Sequence, residues 1–155
     1  HQGNTIEPET ARVLAAHPNI IGIKDSAGSY ESLSGFLDAV KDIEGFDVLN
    51  GPDSLIHQGF VDGCSACISG LANVAAKEIN AIWARFKAGD VVGSHEAQES
   101  VTGLRTELYK VAFSPAAVKK ALQIMGHEVG ASRYAVTFDA HQERQIQQII
   151  NNYLR

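Results

Sequence analysis

The chain has 155 residues, of which 45% are hydrophobic and 20% charged, and its formal net charge is −5. These values are ordinary for a globular protein, and the excess of acidic residues argues against nucleic acid as a partner. No apolar run approaches the roughly 20 residues that a membrane-spanning helix needs, and the polar start does not resemble a secretory signal. Because the chain does not begin with Met, we expect it to be cut, tagged or internal to a longer protein.

Three short apolar runs in the first half of the chain predict buried strands. They are residues 19–23, 46–50 and 65–69. The first and third lack a clean polar alternation, as in strands that are covered on both faces of a parallel sheet. Three such strands cannot close a barrel and leave two unpaired sheet edges, so the pattern indicates a piece of a larger fold.

Helical patterns separate and follow these strands. Pro8 fits the first position of a helix, and Ser29 is a candidate N-cap for an amphipathic helix after the first strand. Further helices are predicted over 54–60, 77–88, 90–111, 115–126 and 139–154. The alternation of helix and strand is typical of right-handed βαβ units. We therefore divide the chain into an α/β part, residues 1–76, and a helical part, residues 77–155.

Two cysteines, Cys64 and Cys67, form one Cys-Ser-Ala-Cys motif. The spacing occurs in redox pairs and in zinc sites, but none of the six His residues is placed as a further zinc ligand. In the strand predicted here, residues three apart point to opposite faces, so the two sulfurs should not meet. We expect structural thiols in a reducing, cytoplasmic compartment.

Lys24 is the residue that most needs an explanation. It directly follows the first predicted strand, and the carboxyl ends of parallel strands face the functional crevice of α/β proteins. Burial against apolar walls penalises the charged ammonium, and the neutral amine attacks a ketone to form an imine. The structural alternative is a lysine that extends to solvent at the rim of a sheet, with Asp25 and Ser26 as turn residues.

Four segments support the catalytic alternative. They are Ile21-Gly-Ile-Lys-Asp-Ser-Ala-Gly28, Asn50-Gly-Pro-Asp53, Ala66-Cys-Ile-Ser-Gly-Leu-Ala-Asn73 with Gly63 before it, and Ser114-Pro-Ala-Ala-Val-Lys-Lys-Ala-Leu-Gln-Ile-Met-Gly126. In order and spacing they resemble the C-terminal half of the dihydrodipicolinate synthase and N-acetylneuraminate lyase family of Schiff-base aldolases. Each segment alone is a weak signal, but together they cover nearly the whole chain.

The resemblance implies a (β/α)8 TIM barrel whose sixth, seventh and eighth strands lie in this chain, followed by a C-terminal helical extension. It makes Lys24 the residue that condenses with pyruvate or a related 2-oxo acid. It places Gly51 near the distal polar groups of the substrate, Asp53 in a loop that discriminates the second substrate, and the Ile68 carbonyl towards the lysine. A positive-φ turn at Gly51 and a helix cap at Asp53 remain structural alternatives.

Departures from the family pattern bear on the substrate. Family members carry a proton-shuttle tyrosine on the fifth strand, just upstream of this chain, and no tyrosine here matches it. Dihydrodipicolinate synthases carry an Arg-Thr-Gly where this chain has His1-Gln2-Gly3, which argues against aspartate semialdehyde. Asp53-Ser54 and Gly70 depart from the Asp-Glu pair and serine of N-acetylneuraminate lyases. A 2-keto-3-deoxy sugar acid or another hydroxylated 2-oxo acid fits at least as well.

The sequence therefore predicts a class I aldolase or lyase that needs no metal or organic cofactor. Its partners would be a 2-oxo acid and an aldehyde, and relatives of this kind suggest a homo-dimer or tetramer. A second hypothesis is a catalytically silent half-barrel that serves as an association module. A phosphate-binding half-barrel is disfavoured, since residues 51–54 lack the glycine-rich nest that phosphate needs.

Overall fold

The computed structural model describes residues 3–154, which form two compact units, one ending at Ile68 and one starting at Ser69. Helices and strands alternate in the first unit, as the sequence predicts. Its elements are α1 (Pro8–Ala15), β1 (Gly22–Asp25), α2 (Tyr30–Val40), β2 (Asp47–Asn50), a 3₁₀ helix (Asp53–Leu55), α3 (Ile56–Asp62) and β3 (Ala66–Cys67). Pro8 opens α1, and the Ser29 hydroxyl caps α2 by accepting a hydrogen bond from Ser32 N at 3.2 Å, both as predicted.

The three strands form a parallel sheet in the order β1-β2-β3. Lys24 pairs with Leu49, Asp25 with Asn50, and Asn50 in turn with Cys67. Because the strands are parallel, the turns that follow β1 and β2 leave the sheet at the same edge. Residues in those two turns are therefore brought together although about 25 positions separate them along the chain.

All three strands differ in extent from the prediction, β2 only in that it begins at Asp47 rather than at residue 46. β1 begins at Gly22 rather than at residue 19, because the Ile20 N–H donates to the His17 carbonyl in a turn and is unavailable to the sheet. β1 also ends at Asp25 rather than at residue 23, so Lys24 lies within the strand. β3 covers two residues rather than five.

The core of the first unit lies between the sheet and its helices. Leu33 and Phe36 of α2 pack with Ala11 of α1 and with Val48 of β2. Ile23 packs against the same cluster. Since side chains alternate along a strand, Ile23 and Asp25 face the helices, whereas Lys24 projects from the opposite face of the sheet.

The second unit is helical, as predicted. It contains a 3₁₀ helix (Leu71–Asn73), α4 (Ala76–Lys87), α5 (Val91–Val111), α6 (Ser114–Ile124) and α7 (Ala140–Tyr153). Buried side chains of these helices include Ile82, Leu104, Leu108 and Ile146. Within residues 3–154, no helix is both long and apolar enough to cross a bilayer.

Candidate active site

The Lys24 side chain projects from β1 and is exposed. The described residues do not enclose it between apolar walls, and burial of the Lys24 amine stays a prediction. The reason is geometric: the core cluster of the first unit lies on the helix-facing side of the sheet, and Lys24 alternates to the other side. The neighbours of Lys24 described below lie in the turns after β1 and β2.

Gly51 lies directly against Lys24. A Cβ placed on Gly51 would stand 2.9 Å from Lys24 Cε and would collide with the carbonyl oxygen of Asp25. The backbone of Gly51 does not adopt a positive φ, so the alternative of a left-handed turn at this residue is wrong. Glycine is required here for space: any side chain would displace the lysine or the end of β1.

Ser26 is a site residue that the sequence analysis treated only as a turn residue. The same hypothetical Cβ on Gly51 would stand 2.5 Å from Ser26 Oγ. The Ser26 hydroxyl and Lys24 Cε therefore converge on one point above Gly51. The signal was present in the spacing, since residues two apart near the end of a strand project to the same side. Ser26 is exposed and can reach a molecule bound at the lysine.

Asp53 is buried at the first position of the 3₁₀ helix that follows the Gly51 turn. Pro52 occupies the N-cap position of that helix and makes no side-chain cap hydrogen bond, and a capping role of Asp53 for the helical segment that follows stays a structural alternative. Burial, and then the nearby charge of Asp53, raises the pKa of Cys67. The Asp53 carboxylate thus lies close to the carboxyl end of β3, and its role toward a second substrate stays a prediction.

Ile68 continues the β2–β3 ladder beyond the end of β3. Its N–H donates to the Asn50 carbonyl oxygen at 2.8 Å, and its side chain is 49% exposed. This bond holds the backbone of Ile68 beside the end of β2. The orientation of the Ile68 carbonyl towards Lys24 stays a prediction.

Two buried polar residues support the turns that carry the site. Asp25 Oδ1 accepts a hydrogen bond from Ala27 N, and Asn50 Nδ2 donates one to the Pro52 carbonyl oxygen, each at 2.9 Å. The first bond fixes the turn that carries Ser26, and the second fixes the turn that carries Gly51. The other polar atom of each side chain, Asp25 Oδ2 and Asn50 Oδ1, is buried without a hydrogen-bond partner.

The cysteine thiols of the first unit are free and poorly ionised. Burial raises the pKa of Cys64 to about 11, with smaller contributions from the charges of Asp62 and Asp25 and from Cys67. A thiol with such a pKa is a weak nucleophile at neutral pH, since the thiolate is the reactive form. The raised pKa values therefore argue against either cysteine as a nucleophile at neutral pH.

The tyrosines of the described chain are engaged elsewhere. A hydrogen bond to Asp62 raises the pKa of Tyr30, and Tyr153 donates to Glu107 at 2.7 Å. Tyr134 packs edge-on against Phe113. No acid–base tyrosine is assigned among residues 3–154. The sequence departure at His1-Gln2 lies outside the described residues.

Comparisons with known proteins bear on this site. The model of the dihydrodipicolinate synthetase family matches residues 1–152. The chain is 33% identical over 146 residues to a 4-hydroxy-tetrahydrodipicolinate synthase of Listeria innocua, with 94% of this chain and 49% of the relative covered.

Solved structures of the same group match the fold. N-acetylneuraminate lyase from Fusobacterium nucleatum superimposes with a TM-score of 0.85 at 17% identity, covering 99% of this chain and 52% of the lyase. YagE, a prophage protein of E. coli solved in complex with pyruvate, gives a TM-score of 0.84 at 24% identity, covering 95% and 51%. At these identities the two structures show the fold alone.

The chain spans about half the length of the curated relatives it matches and corresponds to their C-terminal half. The predicted α/β fold is thereby confirmed as one that matches TIM-barrel structures over half their length. The resemblance inferred from the four sequence segments is also confirmed, because the family match extends over all of them. The chain belongs to the dihydrodipicolinate synthetase family.

Proposed function

We propose that this chain carries the imine-forming part of a class I lyase, in which Lys24 condenses with pyruvate or a related 2-oxo acid. The observation that carries the proposal is the convergence of Lys24 Cε and Ser26 Oγ on Gly51. A flexible amine, a hydroxyl and a glycine without a side chain leave room for a small carbonyl compound beside the nucleophile. Family membership supports the proposal, and YagE, which shares the fold, was solved in complex with pyruvate.

The chemistry follows from the amine. Neutral Lys24 Nζ adds to the C2 carbonyl of the 2-oxo acid to give a carbinolamine, and the carbinolamine takes up a proton and loses water to give an iminium ion. The iminium accepts the electron pair released when a proton leaves C3, and the resulting enamine attacks the carbonyl carbon of an aldehyde. Water then releases the product and regenerates Lys24. In the cleavage direction the same steps run in reverse.

Ser26 would act as a hydrogen-bonding group for the bound 2-oxo acid. Its hydroxyl both donates and accepts, so it suits the substrate carboxylate as well as the hydroxyl of the carbinolamine that precedes the iminium. Gly51 would keep this space open. The proton transfers at C3 need a general acid–base group, which is not assigned among residues 3–154.

The finer assignments rest on the family resemblance. β1, β2 and β3 would be the sixth, seventh and eighth strands of the barrel. Asp53 would discriminate the second substrate, and the Ile68 carbonyl would face the lysine. The second substrate would be an aldehyde related to a 2-keto-3-deoxy sugar acid or another hydroxylated 2-oxo acid, because Asp53-Ser54 and Gly70 depart from the sialic acid pattern. We further propose a cytoplasmic homo-dimer or tetramer.

Trapping of the imine tests the proposal. The complete protein is incubated with pyruvate, reduced with borohydride, digested and analysed by mass spectrometry. We expect one reduced pyruvyl adduct on Lys24, and none in K24R. The matched control is K41R, which changes another exposed lysine of the first unit and should leave the adduct intact. Absence of an adduct at Lys24, or an adduct that survives in K24R, contradicts the proposal.

A second candidate function is a catalytically silent association module. β1 and β3 each have one neighbour in the described sheet, so each presents an unpaired edge. Exposed edges pair with other chains. Light scattering separates the two functions: a silent module should self-associate and show no pyruvate adduct, whereas the lyase should form the adduct whatever its assembly state.

A further inference from the structure

Asp25 and Asn50 are the most deeply buried polar groups beside the proposed site. Asp25 is 4% exposed and Asn50 1% exposed, and they are register partners on adjacent strands. Strands in a sheet lie about 4.8 Å apart, and register partners project to the same face, so the two side chains are neighbours. That face is the helix-facing side of the sheet. A Cβ on Gly59 of α3 would stand 3.2 Å from Asn50 Cβ, so α3 packs closely against Asn50.

Each residue has one oxygen that the fold leaves unsatisfied. Asp25 Oδ2 and Asn50 Oδ1 are both acceptors, and neither has a hydrogen-bond partner. Buried acceptors without donors destabilise a folded protein, and native structures contain few of them. Apolar residues at these two positions would avoid that cost. Such a departure from good packing is expected where function requires it.

The hydrogen bonds that Asp25 and Asn50 do make indicate their role in the fold. Asp25 Oδ1 accepts a hydrogen bond from Ala27 N at 2.9 Å, and this bond fixes the turn on either side of Ser26. Asn50 Nδ2 donates a hydrogen bond to the Pro52 carbonyl oxygen at 2.9 Å, and this bond fixes the turn on either side of Gly51. Lys24 immediately precedes Asp25 in β1. The two buried side chains therefore fix the turns that carry Ser26 and Gly51, and Lys24 directly precedes the first of these turns.

We infer that Asp25 and Asn50 form a pair of positioning residues that hold Lys24 and the Ser26 hydroxyl against Gly51 from behind the sheet. The inference rests on the proposed imine-forming function of Lys24. Neither residue touches the reacting atoms, since both lie on the side of the sheet opposite to Lys24. They act on the rate of imine formation through the geometry of the two turns.

Three variants of the complete protein test the inference. D25A removes the acceptor for Ala27 N and should slow the formation of the borohydride-trapped adduct at saturating pyruvate by about 10- to 100-fold. D25N keeps an oxygen for Ala27 N and, if the two residues are paired as inferred, its amide donates to Asn50 Oδ1. It should therefore melt at a higher temperature than the parent and form the adduct at the parental rate. D47N changes an exposed carboxylate at the start of β2 and should alter neither quantity.

Each result for D25N and D25A either supports or contradicts the positioning role of Asp25 and Asn50. Rescue of the rate by D25N together with a higher melting temperature supports the pair, because a merely structural role of the carboxylate does not predict both. A D25N protein that melts at or below the parental temperature contradicts the pairing, and this measurement stands alone if D25A fails to fold. A D25A protein that folds and traps pyruvate at the parental rate also overturns the inference.

Different results contradict the proposed function and the proposed positioning role of Asp25 and Asn50. If the parent protein forms no adduct at Lys24, the proposed function falls and the positioning role falls with it. The melting temperature of D25N relative to the parent still reports whether the two oxygens face each other. If the parent forms the adduct and D25A matches it, the lyase function survives and only the positioning role is lost.

Discussion

Gly51 and Lys24 are in contact: a Cβ on Gly51 would stand 2.9 Å from Lys24 Cε. The two residues belong to different strand ends and meet because β1 and β2 are parallel and adjacent. Because of this contact, Lys24 belongs to a group of residues that lie close together in the fold. We therefore expect a substitution at Gly51 to disturb the lysine.

G51A should impair imine formation without changing the chemistry of any functional group. The added methyl group pushes Lys24 and Ser26 out of place, and we expect a loss of about 10- to 100-fold in the trapped-adduct rate. Overpacking should also lower the free energy of unfolding by about 1–3 kcal/mol. The rate at saturating pyruvate and a urea unfolding curve measure the two effects.

The control for this substitution is G35A. Gly35 lies in α2, where an added Cβ would stand 3.3 Å from Pro8 Cγ. The contact is tight, but alanine is favoured over glycine within a helix, so we expect little change in stability and none in the adduct rate. A G51A protein that traps pyruvate as fast as G35A would show that Lys24 does not depend on the space at Gly51.

S26A should lower the adduct rate while leaving stability unchanged. The hydroxyl converges with Lys24 Cε on Gly51, and an exposed serine contributes little to packing. Loss of one hydrogen bond to the bound 2-oxo acid or to the carbinolamine should cost about tenfold in rate. S26T, which keeps the hydroxyl, should retain most of the rate. Equal rates in S26A and the parent would remove Ser26 from the site.

Stability should fall between pH 9 and 11 because of Cys64. Its pKa is raised from 9.0 to about 11 by burial first and by neighbouring charges second. A group whose pKa is higher in the folded state stabilises the fold below its unfolded pKa and loses that contribution as pH rises through the folded pKa. We expect a loss of about 1–3 kcal/mol across this range.

C64A separates this effect from the other groups that titrate at high pH. Urea unfolding of parent and C64A is compared at pH 8, 9, 10 and 11. C64A should be less stable at pH 8, because it leaves a small cavity, but its stability should fall less steeply. Parallel curves for the two proteins would contradict a raised pKa at Cys64.

Asp139 should stabilise α7 in a pH-dependent way. Its carboxylate accepts hydrogen bonds from His141 N and Gln142 N, each at 2.8 Å, within a capping box. The bond from Gln142 N is the largest cause that lowers the pKa of Asp139 from 3.8. Its contribution is therefore present above pH 3.8 and lost as pH falls further.

Two substitutions check the cap. D139A should lower the melting temperature at pH 7, because two N–H groups at the start of α7 lose their acceptor. D139N keeps a side-chain oxygen and should melt close to the parent at pH 7. The small remaining difference between the parent and D139N should shrink as pH is lowered below 3.8. A D139A protein that melts like the parent would show that the cap is dispensable.

Local sequence patterns determined the elements of this protein. Pro8 and Ser29 mark helix starts, and the apolar stripe that includes Leu33 and Phe36 marks the buried face of α2, because caps and periodicity act within a few residues of chain. The lysine segment and the three that follow it also identified the family. Strand ends were less predictable, since a strand exists only where a neighbour accepts its hydrogen bonds.

The site required the tertiary structure. The local sequence cannot show whether glycine is needed at position 51 for a positive φ or for lack of a side chain. The structure shows that the second reason applies, because φ is not positive and an added Cβ would approach Lys24 and Ser26. Likewise, Asp25 and Asn50 look like ordinary turn residues until the register of β1 and β2 places them side by side. By itself, the sequence identified Lys24 as the nucleophile to test. The packing of two parallel strands decided which residues stand against it, because contacts between distant segments depend on register and not on composition.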